Sequence, residues 1–390
     1  MLKFRDVDLV GLASLLSDDE RLVRDNTRAW VEDNLIPMIE DCAREGRFPR
    51  ELIPAMGSLG LFGATLQGYG CAGMSNVEYG LVMQELERGD SGLRSFVSVQ
   101  SALVMFPIDA FGSEEQKQHW LPRLQSGEVL GCFGLTEPDF GSNPAGMRAR
   151  ARRDGGEYIL SGEKMWITSG SIAQLAVIWA RDDEGQIGGF LVETDRPGFQ
   201  AQDIHGKYSL RASVTSSLAL HDVRIPLGHR LPGARGLGSA LQCLNQARYG
   251  IGWGVIGAAM QCYDTALQYA GFRRQFHDRP IAGHQLVQEK LVWMANEISK
   301  AQLLALQIGR LKDRGEAQPM QISLLKRNNC WMALETARRA RDILGANGVA
   351  SEYPVFRHMA NLESVITYEG THDIHTLIIG EALTGLAAYA

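Results

Sequence analysis

The stretch Thr367-Tyr368-Glu369-Gly370-Thr371-His372-Asp373 sets a carboxylate beside a glycine, between two apolar runs. Glycine breaks a helix and frees backbone amides. A carboxylate at such a break, flanked by apolar residues, has its pKa raised toward the range of a general base. The same pattern also describes an ordinary solvated acid at a helix end. Arg94 is the second candidate. It stands in Ser91-Gly92-Leu93-Arg94-Ser95-Phe96-Val97-Ser98-Val99, where Arg94 and Ser98 share a face if the segment is helical. A guanidinium in so apolar a run needs an anion. The partner is either structural, with Glu87 or Asp90 in reach, or a carboxylate on a substrate. A third segment, Cys132-Phe133-Gly134-Leu135-Thr136-Glu137-Pro138-Asp139-Phe140-Gly141-Ser142-Asn143-Pro144, joins an apolar run to a Gly/Ser/Pro-rich loop. Its amides and hydroxyls suit a flat polar ring or a phosphate, and equally a plain strand exit. Lys164-Met165-Trp166-Ile167-Thr168-Ser169-Gly170 places an aromatic and a hydroxyl beside a turn, and taken alone Trp166 reads as core.

Other chemistries lack support. His372 and His375 are spaced i, i+3, but no third ligand accompanies them, so a zinc or iron site is rejected. There is no G-x-G-x-x-G after a strand and no P-loop. A net charge of -6 argues against nucleic acid as the main partner. No segment approaches the about 18 consecutive apolar residues that span a membrane. The mixed-charge start, Met1 to Asp8, lacks the layout of a secretory or transit signal, and six scattered cysteines without a CxxC pair read as reduced thiols. A cytoplasmic protein is expected.

At 390 residues the chain exceeds a single core, and its 45% hydrophobic and 22% charged residues suit two or three globular domains rather than disorder or a disulfide scaffold. The first third reads helical. Ser17-Asp18-Asp19-Glu20 and Ser113-Glu114-Glu115-Gln116 are capping boxes, and further helices follow Asn76 and Asp90. Past Leu130 come short strand-like runs, Glu157–Ser161, Leu175–Trp179 and Gly189–Glu193, separated by Gly, Asp and Pro turns. They predict a compact antiparallel barrel or sandwich ending near Pro226. After Gly233 apolar residues recur at helical spacing, as in Leu291, Met294, Ile298, Ala301, Leu304 and Ile308. Helices from Arg248, from Gln285, from Pro319 and from Tyr353 to the end predict a four-helix bundle. The expected α+β architecture is an N-terminal helical domain (1–130), a β-domain (131–235) and a C-terminal bundle (236–390).

Taken together, this order and the stretches Gly-Leu-Thr-Glu-Pro-x-x-Gly-Ser, Trp-Ile-Thr, Arg-x-Gln-Phe and Tyr-Glu-Gly-Thr resemble the acyl-CoA dehydrogenases over nearly the whole chain. Within them the sequence is most similar to the members acting on glutaryl-CoA. The resemblance implies a homotetrameric flavoprotein with one FAD per subunit, lying between the β-domain and the bundle. It places Phe133, Leu135, Thr136, Gly141, Ser142, Trp166, Ile167 and Thr168 at the flavin ring and ribityl chain. Arg273, Phe276, Gln285, Asp342, Leu344 and Gly345 match positions at the adenine dinucleotide part, partly across a subunit interface, and Thr371, Asp373 and Tyr389 match further flavin contacts. Ser142, Leu241, Asn245, Arg248 and Gly370 fall where the acyl-CoA binds. Arg94, Ser95 and Ser98 fall at the far end of the acyl pocket, and Glu87 and Tyr368 match the decarboxylating members. Glu369 matches the catalytic base.

The implied reaction removes the α-proton with Glu369 and delivers the β-hydride to flavin. The developing enolate is stabilised by the Glu369 N–H and a ribityl hydroxyl. Oxidation followed by decarboxylation would give crotonyl-CoA and carbon dioxide, with electrons passed to an electron-transfer flavoprotein. The alternatives are a dehydrogenase that stops at glutaconyl-CoA or takes another acyl-CoA, and a non-catalytic flavin- or acyl-CoA-binding relative. Three departures from the family pattern stand out: Asn143 for aspartate, an insertion in Gln275-Phe276-His277-Asp278-Arg279-Pro280 with loss of a glycine, and Ala346 for a second glycine.

Overall fold

The computed structural model describes residues 3–388. In the N-terminal domain, local chemistry starts the helices. Ser17 and Glu20 exchange side-chain and backbone hydrogen bonds ahead of α1 (Asp18–Trp30), and Ser113 and Gln116 do the same ahead of α7 (Glu114–Ser126). A third reciprocal cap, Ser75 with Glu78, opens α4 (Asn76–Gly89). Between these lie α2 (Ile36–Glu45), α3 (Ile53–Ser58), α5 (Ser91–Ser98) and α6 (Phe106–Phe111), with a wider π-type turn over Val99–Met105. Asp90 is extended (φ -163°), which bends the chain sharply between α4 and α5, and its carboxylate caps α5 by accepting from Gly92 N at 2.7 Å. Every residue of α5 is buried. This is where Arg94 lies.

The middle domain is one curled sheet: β1 (Gly131–Gly134), β2 (Arg150–Asp154), β3 (Glu157–Thr168), β4 (Leu175–Arg181), β5 (Ile187–Glu193), β6 (Phe199–Asp203) and β7 (Thr215–Pro226). The order is β1-β4-β2-β3-β7-β6, with β5 also on β4. The long β3–β7 ladder, β2–β3, β4–β5 and β6–β7 are antiparallel as expected, and β7 ends at Pro226. The purely antiparallel expectation is corrected at one edge. β1 pairs with β4 in parallel, Gly131 opposite Leu175, and β2 touches β4 through one parallel pair. The reason is that β1 arrives from a helix rather than from a hairpin, so no turn dictates its direction.

The first helix of the C-terminal domain begins earlier than Arg248. Helix α8 runs from Gly236 to Phe272, followed by a two-strand hairpin (β8, Arg274–Gln275; β9, Arg279–Pro280), α9 (Gln285–Asp313) and α10 (Pro319–Leu344). The fourth long helix is not continuous. Its place is taken by α11 (Val355–Val365) and α12 (His372–Thr384), interrupted around Glu369. Thr371 caps α12 by accepting from Ile374 N at 3.1 Å.

Two devices bring the domains together around the break. Glycines on α8 let α4 and α5 pack closely: a Cβ at Gly257 would meet Gln84 O at 1.8 Å, and one at Gly254 would meet Glu87 Oε2 at 2.2 Å. Asp90 links α5 to α11, its Oδ2 accepting from Arg357 Nη1 at 2.5 Å and from Asn361 Nδ2 at 2.9 Å. Arg357 also reaches Glu40 at 2.7 Å, and Asn361 accepts from Leu210 N at 2.7 Å. One buried carboxylate thus ties the helix carrying Arg94 to the helix leading into Glu369.

Candidate active site

Glu369 occupies a turn that few residues adopt. Its φ is 54° and that of Gly370 is 97°, so the helix break is left-handed over two residues. Only glycine fits at 370, where an added Cβ would also meet His375 Nε2 at 2.9 Å. Main-chain carbonyls of the turn are held by cations: Arg248 Nε donates to Glu369 O at 2.8 Å, and Lys326 Nζ donates to Tyr368 O and Gly370 O at 2.7 and 2.8 Å. The carboxylate itself is left free. Its buried Oε2 has no hydrogen-bond partner among the described residues. Burial raises the Glu369 carboxyl above its ordinary value, and nearby Arg94, Lys326 and Arg248 offset only part of that. The solvated-acid reading is therefore excluded, and a buried carboxyl of raised proton affinity at a left-handed turn replaces it.

Arg94 is fully buried and lies near enough to act on the Glu369 charge. Its Nε donates to Glu87 Oε2 at 2.5 Å, and its Nη2 donates to the Tyr368 hydroxyl. Of the two structural partners considered, Glu87 is the one used, whereas Asp90 is engaged by Arg357. Burial alone would lower the Arg94 pKa, but Glu87 and Tyr368 more than reverse this and hold the guanidinium charged. Glu87 does not consume the whole guanidinium. Arg94 Nη1 is buried without a partner, and so are Glu87 Oε1, Ser98 Oγ and Tyr79 OH. Ser98 lies one turn from Arg94 on α5, as the spacing predicts, and Ser95 is buried beside it. A buried, charged guanidinium with a free N–H, ringed by hydroxyls, makes this a candidate ligand site.

Residues 132–223 match the acyl-CoA dehydrogenase middle domain, residues 17–128 the N-terminal domain and residues 234–384 the C-terminal domain. The probable acyl-CoA dehydrogenase YngJ of Bacillus subtilis is 33% identical over 377 residues, covering 94% of this chain and 98% of that protein. The chain belongs to the acyl-CoA dehydrogenase family. Among solved structures, a glutaryl-CoA dehydrogenase from Mycobacterium smegmatis is similar at 58% identity and TM-score 0.97, covering 98% of this chain and 99% of its own. A glutaryl-CoA dehydrogenase from the same organism, in complex with FADH2, is similar at 52% identity and TM-score 0.97, each chain covered fully (100%).

On the β-domain side of this acyl-CoA dehydrogenase, Trp166 is not core. It has φ 63° at a bulge where the β3–β7 register slips between Lys164 and Ile167, and it is 59% exposed. Thr136 O accepts from Met165 N at 2.9 Å, which holds the Gly/Ser loop beside the indole. Thr136 and Thr168 are half-buried, and Gly141 and Ser142 are exposed. An open indole, two threonines and the amides of a glycine-serine loop form a stacking face with donors, and these residues fit a flavin ring. Leu135, Ile167 and Phe133 are buried, Phe133 against the Trp179 ring at 6.0 Å.

The residues matched to the dinucleotide part gather at the far end of the bundle. Arg273, Phe276 and Gln285 are exposed, Asp342 pairs with Lys290 at 2.5 Å, Leu344 is buried, and Gly345 has φ 59°. No hydrogen bond or ion pair joins this group to the Trp166 loop among the described residues. The insertion is absorbed in the β8–β9 hairpin, where Phe276, His277 and Asp278 are all left-handed (φ 48°, 61° and 57°). Ala346 replaces a glycine where no positive φ is needed, because Gly345 makes the turn. Leu241 and Asn245 are half-buried on α8, Asn245 accepting from Arg248 Nη1 at 3.3 Å, and Asp373 is exposed. Tyr389 lies outside the described residues.

Sequence reasoning passed over Lys164, Tyr79, Gly254 and Lys326. Lys164 is buried and bolts the Gly/Ser loop to β3, donating to Leu135 O at 3.0 Å and Glu137 Oε1 at 2.9 Å. Its signal was there, a lysine on the inward face of a strand. Lys326 carried the corresponding signal on a helix, since it falls on the same apolar stripe as Ile322, Leu325 and Ala333.

Proposed function

We propose that this protein is an FAD-dependent dehydrogenase that converts glutaryl-CoA to crotonyl-CoA and carbon dioxide. The observation that carries the reading is Arg94: a charged, fully buried guanidinium with Nη1 unpaired, next to the free carboxylate of Glu369. A neutral acyl chain would leave that N–H stranded. A chain with a terminal carboxylate pairs with it while Glu87 and Tyr368 keep the guanidinium oriented. The identities to glutaryl-CoA dehydrogenases support the same substrate.

Glu369 takes the α-proton of the thioester, its raised proton affinity suiting it to a weak carbon acid. The Glu369 N–H, which no acceptor among the described residues takes, donates to the thioester oxygen as negative charge develops there. FAD, when bound beside Trp166, supplies the acceptor for the β-hydride. After oxidation the bond to the terminal carboxylate is vinylogous to the thioester carbonyl, so its electrons pass to the same oxygen as carbon dioxide leaves. Protonated Glu369 then returns its proton to the dienolate, and crotonyl-CoA results. In this reading the electrons go on to an electron-transfer flavoprotein. The exposed apolar residues of the bundle, among them Leu286, Val292 and Trp331, are buried in a homotetramer. The six free cysteines suit a reducing, cytoplasmic compartment.

The test is anaerobic mixing of the purified protein with glutaryl-CoA, following loss of oxidised-flavin absorption and analysing the thioesters. Bleaching with crotonyl-CoA as product is expected. A colourless, folded protein that takes up no FAD overturns the assignment, and glutaconyl-CoA as the final product moves it to the non-decarboxylating members.

A further inference from the structure

Lys326 projects from the middle of α10 into the domain interior, 1% exposed. Its ammonium reaches the carbonyl before Glu369 and the carbonyl after it, at 2.7 and 2.8 Å, while Arg248 takes the carbonyl of Glu369 itself. Three successive carbonyls of a left-handed turn are therefore each capped by a cation. No other side chain holds this turn from the α10 side among the described residues. A non-glycine residue at positive φ persists only where its surroundings over-determine it, and here Lys326 and Arg248 are those surroundings.

The carbonyl of Tyr368 belongs to the same peptide unit as the Glu369 N–H. A cation donating to that oxygen draws electron density from the nitrogen and makes the N–H a stronger donor. We infer that Lys326 is a positioning residue for α-proton removal, fixing the turn that aims the Glu369 carboxylate and polarising the peptide whose N–H faces the enolate oxygen. This rests on the reading of Glu369 as the base and of its N–H as the oxyanion donor. Lys326 donates hydrogen bonds to main chain only, its ammonium lying also 5.9 Å from the centre of the Tyr368 ring, so its action is through the turn that carries Glu369.

The step can be isolated from flavin reduction. An acyl-CoA with sulfur in place of the β-carbon can lose an α-proton but has no β-hydride to give, so its α-hydrogen exchange with deuterium oxide reports the base alone. The FAD-loaded enzyme and its Lys326→Met, Lys326→Arg and Glu369→Gln variants are compared for exchange rate and for affinity for this thioester. Lys326→Met should exchange about 10–100-fold more slowly, the range for loss of a hydrogen bond made by a charged group, with affinity unchanged. Lys326→Arg, which offers donors to both carbonyls, should recover most of the rate. A purely structural lysine would instead weaken binding in step with rate. Wild-type exchange in Lys326→Met, or an equal loss of affinity and rate, overturns the inference. If Lys326→Met does not fold, a folded, thioester-binding Lys326→Arg that exchanges no faster than Glu369→Gln overturns it as well. Full exchange in Glu369→Gln would remove the base reading and this inference with it, whereas exchange lost in Glu369→Gln and kept in Lys326→Met removes Lys326 alone.

Discussion

Replacing Arg94 with methionine separates the recognition of a carboxylate from everything else the pocket does. Methionine approximates the length of the aliphatic stem but carries no donor, so Glu87 loses its 2.5 Å partner and Tyr368 its hydrogen bond. That part of the damage falls on any acyl chain alike. The part specific to a dicarboxylic chain is the contact at Nη1, which in the free enzyme is buried and unpaired. A buried charge-assisted contact of this kind is worth roughly 2–5 kcal/mol. At about 1.4 kcal/mol per tenfold, the preference for glutaryl-CoA over pentanoyl-CoA should fall by about 30- to 4,000-fold. The assay is kcat/KM for both thioesters in wild type and Arg94→Met, because the ratio of ratios cancels the common loss. Pentanoyl-CoA should also gain relative standing, since the wild-type enzyme leaves a guanidinium N–H unsatisfied when a methyl group faces it. Equal losses on both thioesters would refute the reasoning and leave Arg94 as a strut for Glu87.

Glu369→Gln should keep the fold and the flavin but slow flavin reduction by about 10²–10⁴-fold, measured by anaerobic stopped flow, because the amide accepts no proton. Burial raises the Glu369 carboxyl, so wild-type proton abstraction should rise with pH through a value above the ordinary 4.5. The native state then holds a proton that the unfolded chain has released, so Glu369 lowers stability as pH climbs through that window; denaturant midpoints of Glu369→Gln should gain on wild type over the same range. Trp166→Ala, at a 59% exposed position, should leave the melting temperature near wild type and weaken FAD uptake by up to about tenfold in a titration of the apoprotein. Gly254→Ala would push a methyl into Glu87 Oε2, 2.2 Å away, and should destabilise by about 1–3 kcal/mol in denaturant unfolding while lowering activity on glutaryl-CoA.

What was legible in the sequence was local or periodic. The caps at Ser17 and Ser113 need only residues three positions apart, and both formed. The helix break was readable because Glu369-Gly370 interrupts apolar spacing, although it splits the expected last helix into α11 and α12. Trp166 taken alone reads as core because a strand of alternating residues hides a bulge, and only the family resemblance pointed outward; the register slip between Lys164 and Ile167 is what turns the indole out. The parallel pairing of β1 joins residues 131–134 to 175–178, a long-range choice with no turn motif to announce it. Arg94 could be paired with Glu87 only as one of two options, because the extended Asp90 between α4 and α5 decides which carboxylate the guanidinium meets. Lys326 was missed for a similar reason: its acceptors are main-chain carbonyls some 40 residues further on, at Tyr368 and Gly370.

The Asp90 bridge has a bearing on which chain lengths the pocket admits. Arg94 sits four residues beyond Asp90 on a rigid helical turn, and Glu369 follows α11, the helix that Asp90 grips through Arg357 and Asn361. Guanidinium and proposed base are thus the two jaws of a caliper whose pivot is one carboxylate, with Glu87 and Tyr368 holding the guanidinium jaw in place. A diacid one methylene shorter should strain to reach both jaws at once, which kcat/KM for succinyl-CoA against glutaryl-CoA would show. One methylene longer should buckle, or pull its α-carbon off the base. Discrimination by length then shows as slower chemistry more than as weaker binding, and loosening the pivot, as Asp90→Asn would, should blur the ruler without erasing the preference for a charged end.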